Sequence, residues 1–231
     1  MTNIAVILAG GMGSRVGGEI PKQLLPLEDG RTIIEHTVDA FEQAECIDEI
    51  DIVMHPGFTA DVEALCRKNS WRKLRQIIGG GEERWESSWN AIQACKGERL
   101  KANGERICLW LHDCARPFVS RRIINDVAAA LEHHEAVTVA VPVTDTLYKV
   151  ESGKWKVESI PVRSEFMRAQ TPQAFHLETI RKAYEKAIAS GNIAATDDAG
   201  IVLTYLPEVP IYIVRGEEQN RKITYKEDLK N

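Results

Sequence analysis

The sequence predicts an α/β fold, a mostly parallel sheet with helices on both faces. Three observations carry that expectation. Apolar runs of strand length recur, helix-length segments with one apolar face lie between them, and the two alternate from residue 4 to residue 141. Repeated βα units of this kind build a parallel sheet that is covered on both sides.

The elements follow in order. Residues 4–8 form the first strand, and 32–43 a helix with Ile33, Ile34, Val38 and Phe41 on one face. Strands at 49–54, 74–78 and 107–112 are each followed by a helix, at 59–68, 85–95 and 120–134, and 136–141 is a further strand. Helices at 177–190 and 196–206, an edge strand at 210–214 and a short tail complete one domain of 231 residues. Residues 145–159, DTLYKVESGKWKVES, break the alternation and read as two short strands around a Ser152-Gly153 turn. An isolated hairpin is marginal in water, so Leu147, Trp155 and Val157 need a surface to pack on. A projecting arm at about 144–160 that docks on a second copy is one solution. A hairpin lying on its own domain is the other.

Composition narrows the function classes. Hydrophobic residues make up 44% and charged residues 27%, ordinary for a soluble protein. The net charge of −5 argues against a nucleic-acid or membrane-surface role, which needs a basic excess. The N-terminal apolar run is too short for a signal sequence or a membrane span, so the expected location is the cytoplasm. Cys46, Cys66, Cys95, Cys108 and Cys114 are odd in number and form no CxxC pair, which suits reduced thiols rather than disulfides or zinc.

Ligands of such sheets bind beyond the carboxyl ends of the strands, and Leu8, Ile78 and His112 end strands here. After Leu8 the chain reads AGGMGSRVGGEIPKQ. Glycines let backbone N–H groups crowd around an anion, and Arg15 and Lys22 add two positive charges, so the segment suits a polyphosphate. Gly11, Gly13 and Gly17 match GxGxxG only loosely. Gly17, Gly18 and Pro21 interrupt the helix that a dinucleotide site requires, and His55-Pro56 replaces its acidic residue. A Walker loop is absent because Lys22 lies between Pro21 and Gln23. A phosphate cradle of another kind, or a turn-rich structural loop, remains.

The second segment, GGGEER followed by Ser87, permits close approach to a base or sugar; ordinary helix capping is its plainer reading. Asp113 in HDCARP could hold Mg²⁺ together with substrate phosphates, or cap a helix or pair with a cation. His112 reads as a packed strand-end histidine. Arg163, Thr171-Pro172-Gln173 and Asn220-Arg221-Lys222 are candidates for a second, anionic substrate, although each charge alone would suit a solvated surface. Asp197-Asp198 suits the first turn of its helix.

Together AGGMGSR…PKQ, GGGEER…S, HDCARPF, PVTDT, QTPQAF and NRKIT resemble the motifs of the cytidylyltransferases that make CDP-polyols, in order and over essentially the full length. The resemblance implies a Rossmann-like α/β fold with a protruding β-arm used for dimerisation, CTP as co-substrate and Mg²⁺; the charge balance adds the expectation of no nucleic-acid or membrane partner. By the family pattern Arg15 and Lys22 stabilise the transition-state phosphates. Leu8, Ala9, Gly10, Gly11, Gly13, Gly81, Glu82 and Ser87 bind the nucleotide, with Asp113 near the metal and Arg116 near nucleotide or substrate. Thr146 and Arg163, from the arm of a partner subunit, join Lys222 on the polyol phosphate. Glu82 stands where a shorter Asp or a Thr is common, and Arg221 replaces an apolar residue. ILAGGMGSR, IPVRSEFMRAQTPQAF and Asn90 look like the type acting on D-ribitol 5-phosphate; PVTDTLYKV and TDDAG look like the type acting on 2-C-methyl-D-erythritol 4-phosphate. Ribitol or a similar pentitol phosphate is the favoured acceptor from sequence, methylerythritol phosphate the alternative, and a non-catalytic nucleotide-binding protein the remote rival.

Overall fold

The computed structural model describes residues 1–11, 20–95, 106–193 and 195–229. Gly13 and Arg15 of the first loop lie outside the described residues. A seven-stranded sheet has the order β3-β2-β1-β4-β8-β5-β9. Its strands are β1 (Thr2–Ala9), β2 (Glu49–Met54), β3 (Leu74–Gly79), β4 (Ile107–Asp113), β5 (Ala136–Pro142), β8 (Met167–His176) and β9 (Ile211–Arg215). All neighbours are parallel except β8, which runs antiparallel to both β4 and β5. The expected class holds.

Alternation along β1 explains the two covered faces. Ala5, Ile7 and Ala9 face a core shared with α1 (Ile33–Glu42), α2 (Thr59–Asn69) and α4 (Arg121–Leu131). Ile4, Val6 and Leu8 face a second core shared with α3 (Arg84–Ala94), α5 (Leu177–Ala189) and α6 (Asp198–Tyr205). The helix starts are set locally. The Thr32 hydroxyl accepts from Glu35 N–H, and Glu35 accepts from Thr32 N–H at 2.8 Å, a reciprocal cap. Ser120 and Asp197 cap α4 and α6 through their own side chains.

One central strand is absent from the sequence reading. β8 contains Pro172, which cannot donate to a ladder, and polar Gln170, Thr171 and Gln173 in place of an apolar run. It is accommodated by a bulge: Val137 pairs with Ala174 and Val139 with Gln170, so residues 171–173 stand opposite Thr138 alone.

The hairpin forms, shorter than expected, from β6 (Lys149–Val150) and β7 (Val157–Ser159), a separate two-stranded sheet. Gly153 turns it with φ of +75°, a left-handed conformation that glycine adopts without strain. Tyr148, Val150, Trp155, Val157, Ile160 and Val162 are exposed along this segment, with Trp155 in full contact with solvent.

Candidate active site

β1 lies between β2 and β4, so successive βα units leave it in opposite directions and a crevice opens at its carboxyl end. A cleft of about 500 Å³ occupies that position. Leu8, Gly10, Gly11, Lys22, Gly81, Glu82, Ser87, Asp113 and Lys222, all expected from sequence, line it. Gln23, Arg84 and Thr224 line it too and were not assigned roles by sequence reasoning.

The glycine loops touch. A Cβ on Gly10 would lie 3.1 Å from Ser87 Oγ, and one on Gly81 would lie 2.2 Å from Glu86 Cβ. The second distance forbids any side chain without moving backbone. Ser87 Oγ accepts the Gly81 N–H at 3.1 Å, so the expected nucleotide residue also fastens the loop it belongs to. Gln23 does the same for the first loop: its buried Nε2 donates to the Ala9 and Gly11 carbonyls, both at 2.8 Å. Ala9 contributes that carbonyl and is itself buried.

The cations come from distant parts of the chain. Lys22 begins a short 3-10 turn after Pro21, and its Nζ donates to the Ile223 carbonyl at 2.7 Å. Lys222 Nζ donates to Asp113 Oδ2 at 2.7 Å. Arg84 Nε and Nη2 both lie 3.4 Å from Asp113 Oδ1, and Arg84 Nη1 lies 2.8 Å from Asp198 Oδ2. Burial alone would raise the Asp113 pKa, but Arg84 and then Lys222 outweigh it and hold the carboxyl ionised far below the usual range. Burial likewise works against the Arg84 charge, and Asp198 and Asp113 overcome it, raising its pKa.

Behind Asp113, Thr171 Oγ1 accepts the Asp113 N–H at 3.0 Å and meets His112 Nδ1 at 3.1 Å. His112 Nε2 faces the Arg116 carbonyl at 3.1 Å, which can only accept, so Nε2 carries the proton and Nδ1 receives the Thr171 hydroxyl. Burial pushes this imidazole down to about 4. It is a neutral structural group, as the sequence suggested.

Several expected residues lie outside the lining of their own chain's cleft, although Arg116 keeps its Nε 4.0 Å from Asp113 Oδ2. Arg116 points its Nη1 and Nη2 at the carbonyls of Asn220 and Ala169, at 2.9 and 3.3 Å, and stitches the Lys222 loop to β8. Thr146 and Arg163 do not line the cleft of their own chain. Thr146 is exposed on the arm segment, and Arg163 Nη1 donates to the Thr144 carbonyl at 2.6 Å. Arg221 stacks over Phe118 at 5.5 Å. Asp197 caps its helix and Asp198 stands in the first turn, as expected; Asp198 is also buried against Arg84 and the Tyr184 hydroxyl. Cys114 is buried with its thiol pushed up to about 12, and none of the five cysteines forms a disulfide.

Among the described residues no group of three or more His, Cys, Asp or Glu side chains is placed to hold a metal. One ionised carboxylate at a cleft wall instead suits Mg²⁺ that brings its remaining ligands as phosphate oxygens and water. No described helix is long and apolar enough to cross a membrane.

An α/β sheet with a glycine-walled, lysine-flanked crevice at its switch point defines a nucleotide-binding protein of the phosphate-cradling class. Residues 3–231 match the family model described as IspD: 2-C-methyl-D-erythritol 4-phosphate cytidylyltransferase, and the chain belongs to this family. It is therefore a CTP-dependent cytidylyltransferase, one of the nucleotidyltransferases. It is 43% identical to a 2-C-methyl-D-erythritol 4-phosphate cytidylyltransferase of Thermobifida fusca, across 97% of this chain and 89% of that one. It is 40% identical to a bifunctional ribulose 5-phosphate reductase/CDP-ribitol pyrophosphorylase of Haemophilus influenzae, across 98% of this chain and 46% of that one. Among solved structures, a 4-diphosphocytidyl-2C-methyl-D-erythritol synthase from Anaerococcus prevotii superposes with a TM-score of 0.83 at 27% identity, covering 99% of this chain and 92% of that one.

Proposed function

We propose that the protein transfers CMP from CTP to 2-C-methyl-D-erythritol 4-phosphate, releasing pyrophosphate. The observation that carries the choice of acceptor is the 43% identity to the Thermobifida fusca enzyme over almost the whole of both chains. This reverses the order of acceptors favoured by the sequence motifs. D-ribitol 5-phosphate is the second reading, supported by the 40% identity to the Haemophilus influenzae protein and by the segments around Gly11 and Phe166.

In the mechanism an acceptor phosphate oxygen attacks the α-phosphorus of CTP, the bond to the bridging oxygen of the β-phosphate breaks, and pyrophosphate leaves. A phosphomonoester has its second pKa near ~6 and is largely dianionic at neutral pH, so no protein base is needed. This agrees with a neutral, fully engaged His112. The glycine loops offer N–H groups to the triphosphate. Lys22, together with Arg15 of the glycine-rich segment, meets charge developing toward the leaving group. Lys222 holds the acceptor phosphate, joined by Thr146 and Arg163 from the arm of a second copy. Asp113 would hold Mg²⁺, which supplies charge neutralisation to the phosphates when bound.

Pyrophosphate release with CTP and a panel of both acceptors and other polyol phosphates tests the reading. The expected result is a kcat/KM for methylerythritol phosphate exceeding that for ribitol phosphate by on the order of 10²-fold. The reverse ratio assigns the ribitol reading, and CTP binding without turnover of any acceptor returns the protein to a nucleotide-binding role.

A further inference from the structure

Arg84 opens α3 and Asp198 opens α6. A cation at a helix N-terminus opposes the helix dipole, so Arg84 stays there only because two carboxylates hold it. Asp198 takes its Nη1 at 2.8 Å, and Asp113 faces its Nε and Nη2 edge at 3.4 Å. Asp198 is fully buried and accepts the Tyr184 hydroxyl at 2.6 Å. The Tyr184 ring is stacked on Trp89 of α3, with centroids 5.9 Å apart and planes 12° apart. The start of α6 is fixed in turn by Gln173 of β8, which accepts the Ala199 N–H at 3.0 Å and donates to Asp197 at 2.7 Å. A continuous set of contacts thus runs from the middle of the sheet to the carboxylate at the cleft wall.

We propose that Arg84 is a positioning residue for nucleotidyl transfer: anchored from behind by Asp198 and Tyr184, it fixes the plane of the Asp113 carboxylate. A carboxylate held only at Oδ2, by Lys222 and by Arg116 Nε at 4.0 Å, could pivot about its own side-chain bond. With Oδ1 against the guanidinium and Oδ2 against Lys222 it has one setting. The Asp198 anchor matters because a guanidinium released from it would offer its whole fork to Asp113. Bidentate pairing would then draw both oxygens away from the cleft, from Lys222 and from a phosphate-bound cation. The inference rests on the cytidylyl-transfer reading and adds to it a role for Asp198 and Tyr184, neither of which lines the cleft.

The test is Asp198→Asn in the full chain, which keeps the shape and an acceptor for Tyr184 while removing the charge that holds Arg84. The expected result is a fall in kcat on the order of 10- to 100-fold. KM for CTP should change by less than roughly threefold, since ground-state binding by the glycine loops is retained. Mn²⁺ titrated into the CTP complex and followed by water-proton relaxation should bind about 10-fold more weakly. Asp198→Glu should restore part of both losses. Tyr184→Phe should move both readouts in the same direction by a smaller factor, and it serves if Asp198→Asn fails to fold. Wild-type kcat and Mn²⁺ affinity in a folded variant overturn the inference. So does a lowered Tm with both values unchanged below the transition, because the trio would then serve stability alone. Failure of the underlying functional reading looks different, since the wild-type protein itself would turn over no acceptor.

Discussion

Lys222 donates to Asp113 across 2.7 Å, joining the loop after β9 to the carboxyl end of β4. The loop is held for this contact by Asn220, whose buried Nδ2 donates to the Thr171 carbonyl at 2.9 Å and to Gln170 Oε1 at 3.2 Å. The lysine is therefore fixed on the sheet rather than carried on a free tail. Removing it takes away the acceptor's counter-charge but leaves Asp113 paired with Arg84. Lys222→Ala should raise KM for the acceptor on the order of 10-fold or more, the size of a lost charged hydrogen bond. Initial-rate kinetics with each substrate varied should show KM for CTP nearly unmoved; an equal rise in both would place Lys222 on the nucleotide.

Lys22 reaches the same cleft on a turn that follows Pro21, with its Nζ on the Ile223 carbonyl next to Lys222. Its proposed charge is needed most as pyrophosphate departs. Lys22→Ala should lower kcat by on the order of 10²-fold or more, by analogy with loss of an oxyanion donor. Single-turnover measurements isolate the chemical step, and a kcat near that of the wild type would remove Lys22 from the mechanism.

The sequence disclosed the βα rhythm and the strand ends where the site forms, because apolar runs and glycine clusters are local signals. Lys22, Asp113 and Lys222 were legible as members of motifs. β8 was not, since its polar residues are satisfied only by distant partners: Gln170 by Asn220, and Gln173 by Asp197 and Thr138. Arg84 and Asp198 escaped for the same reason. One signal was present, an arginine at the first position of a helix, where the dipole is unfavourable and a counter-ion is implied.

Glu35 offers a stability test separate from the site. It is buried in the first turn of α1, and burial by itself would raise its pKa. The Thr32 N–H, Lys68, Asn69 and the Thr32 hydroxyl outweigh that and bring it down to about 2 from 4.5. A depressed carboxylate stabilises the fold above its unfolded pKa, and that contribution fades as pH falls from 4.5 toward 2. Glu35→Gln keeps the cap geometry and removes the charge. It should cost on the order of 2 kcal/mol at pH 7 by urea unfolding. The difference from wild type should shrink steadily between pH 4.5 and 2; a constant difference would mean that Glu35 acts by shape alone.

The arm presents Tyr148, Val150, Trp155, Val157, Ile160 and Val162 to solvent on a two-stranded sheet with little core of its own. Such a patch suits a two-fold interface between copies. In the proposed dimer each cleft would be completed by the other copy's arm. Arg163→Ala then damages the arm's contribution and leaves its own chain's cleft intact, whereas Lys22→Ala does the reverse. In a mixed dimer one site joins the intact cleft to the intact arm, and the other site joins both defects. Equal mixing with exchange makes half the dimers mixed, so activity should recover to about one quarter of wild type from two nearly inactive parents. If Arg163 served its own chain, both sites of every mixed dimer would carry one defect and mixing would recover nothing. Light scattering across a concentration series provides the independent control, and a monomer at every concentration would exclude the shared site outright.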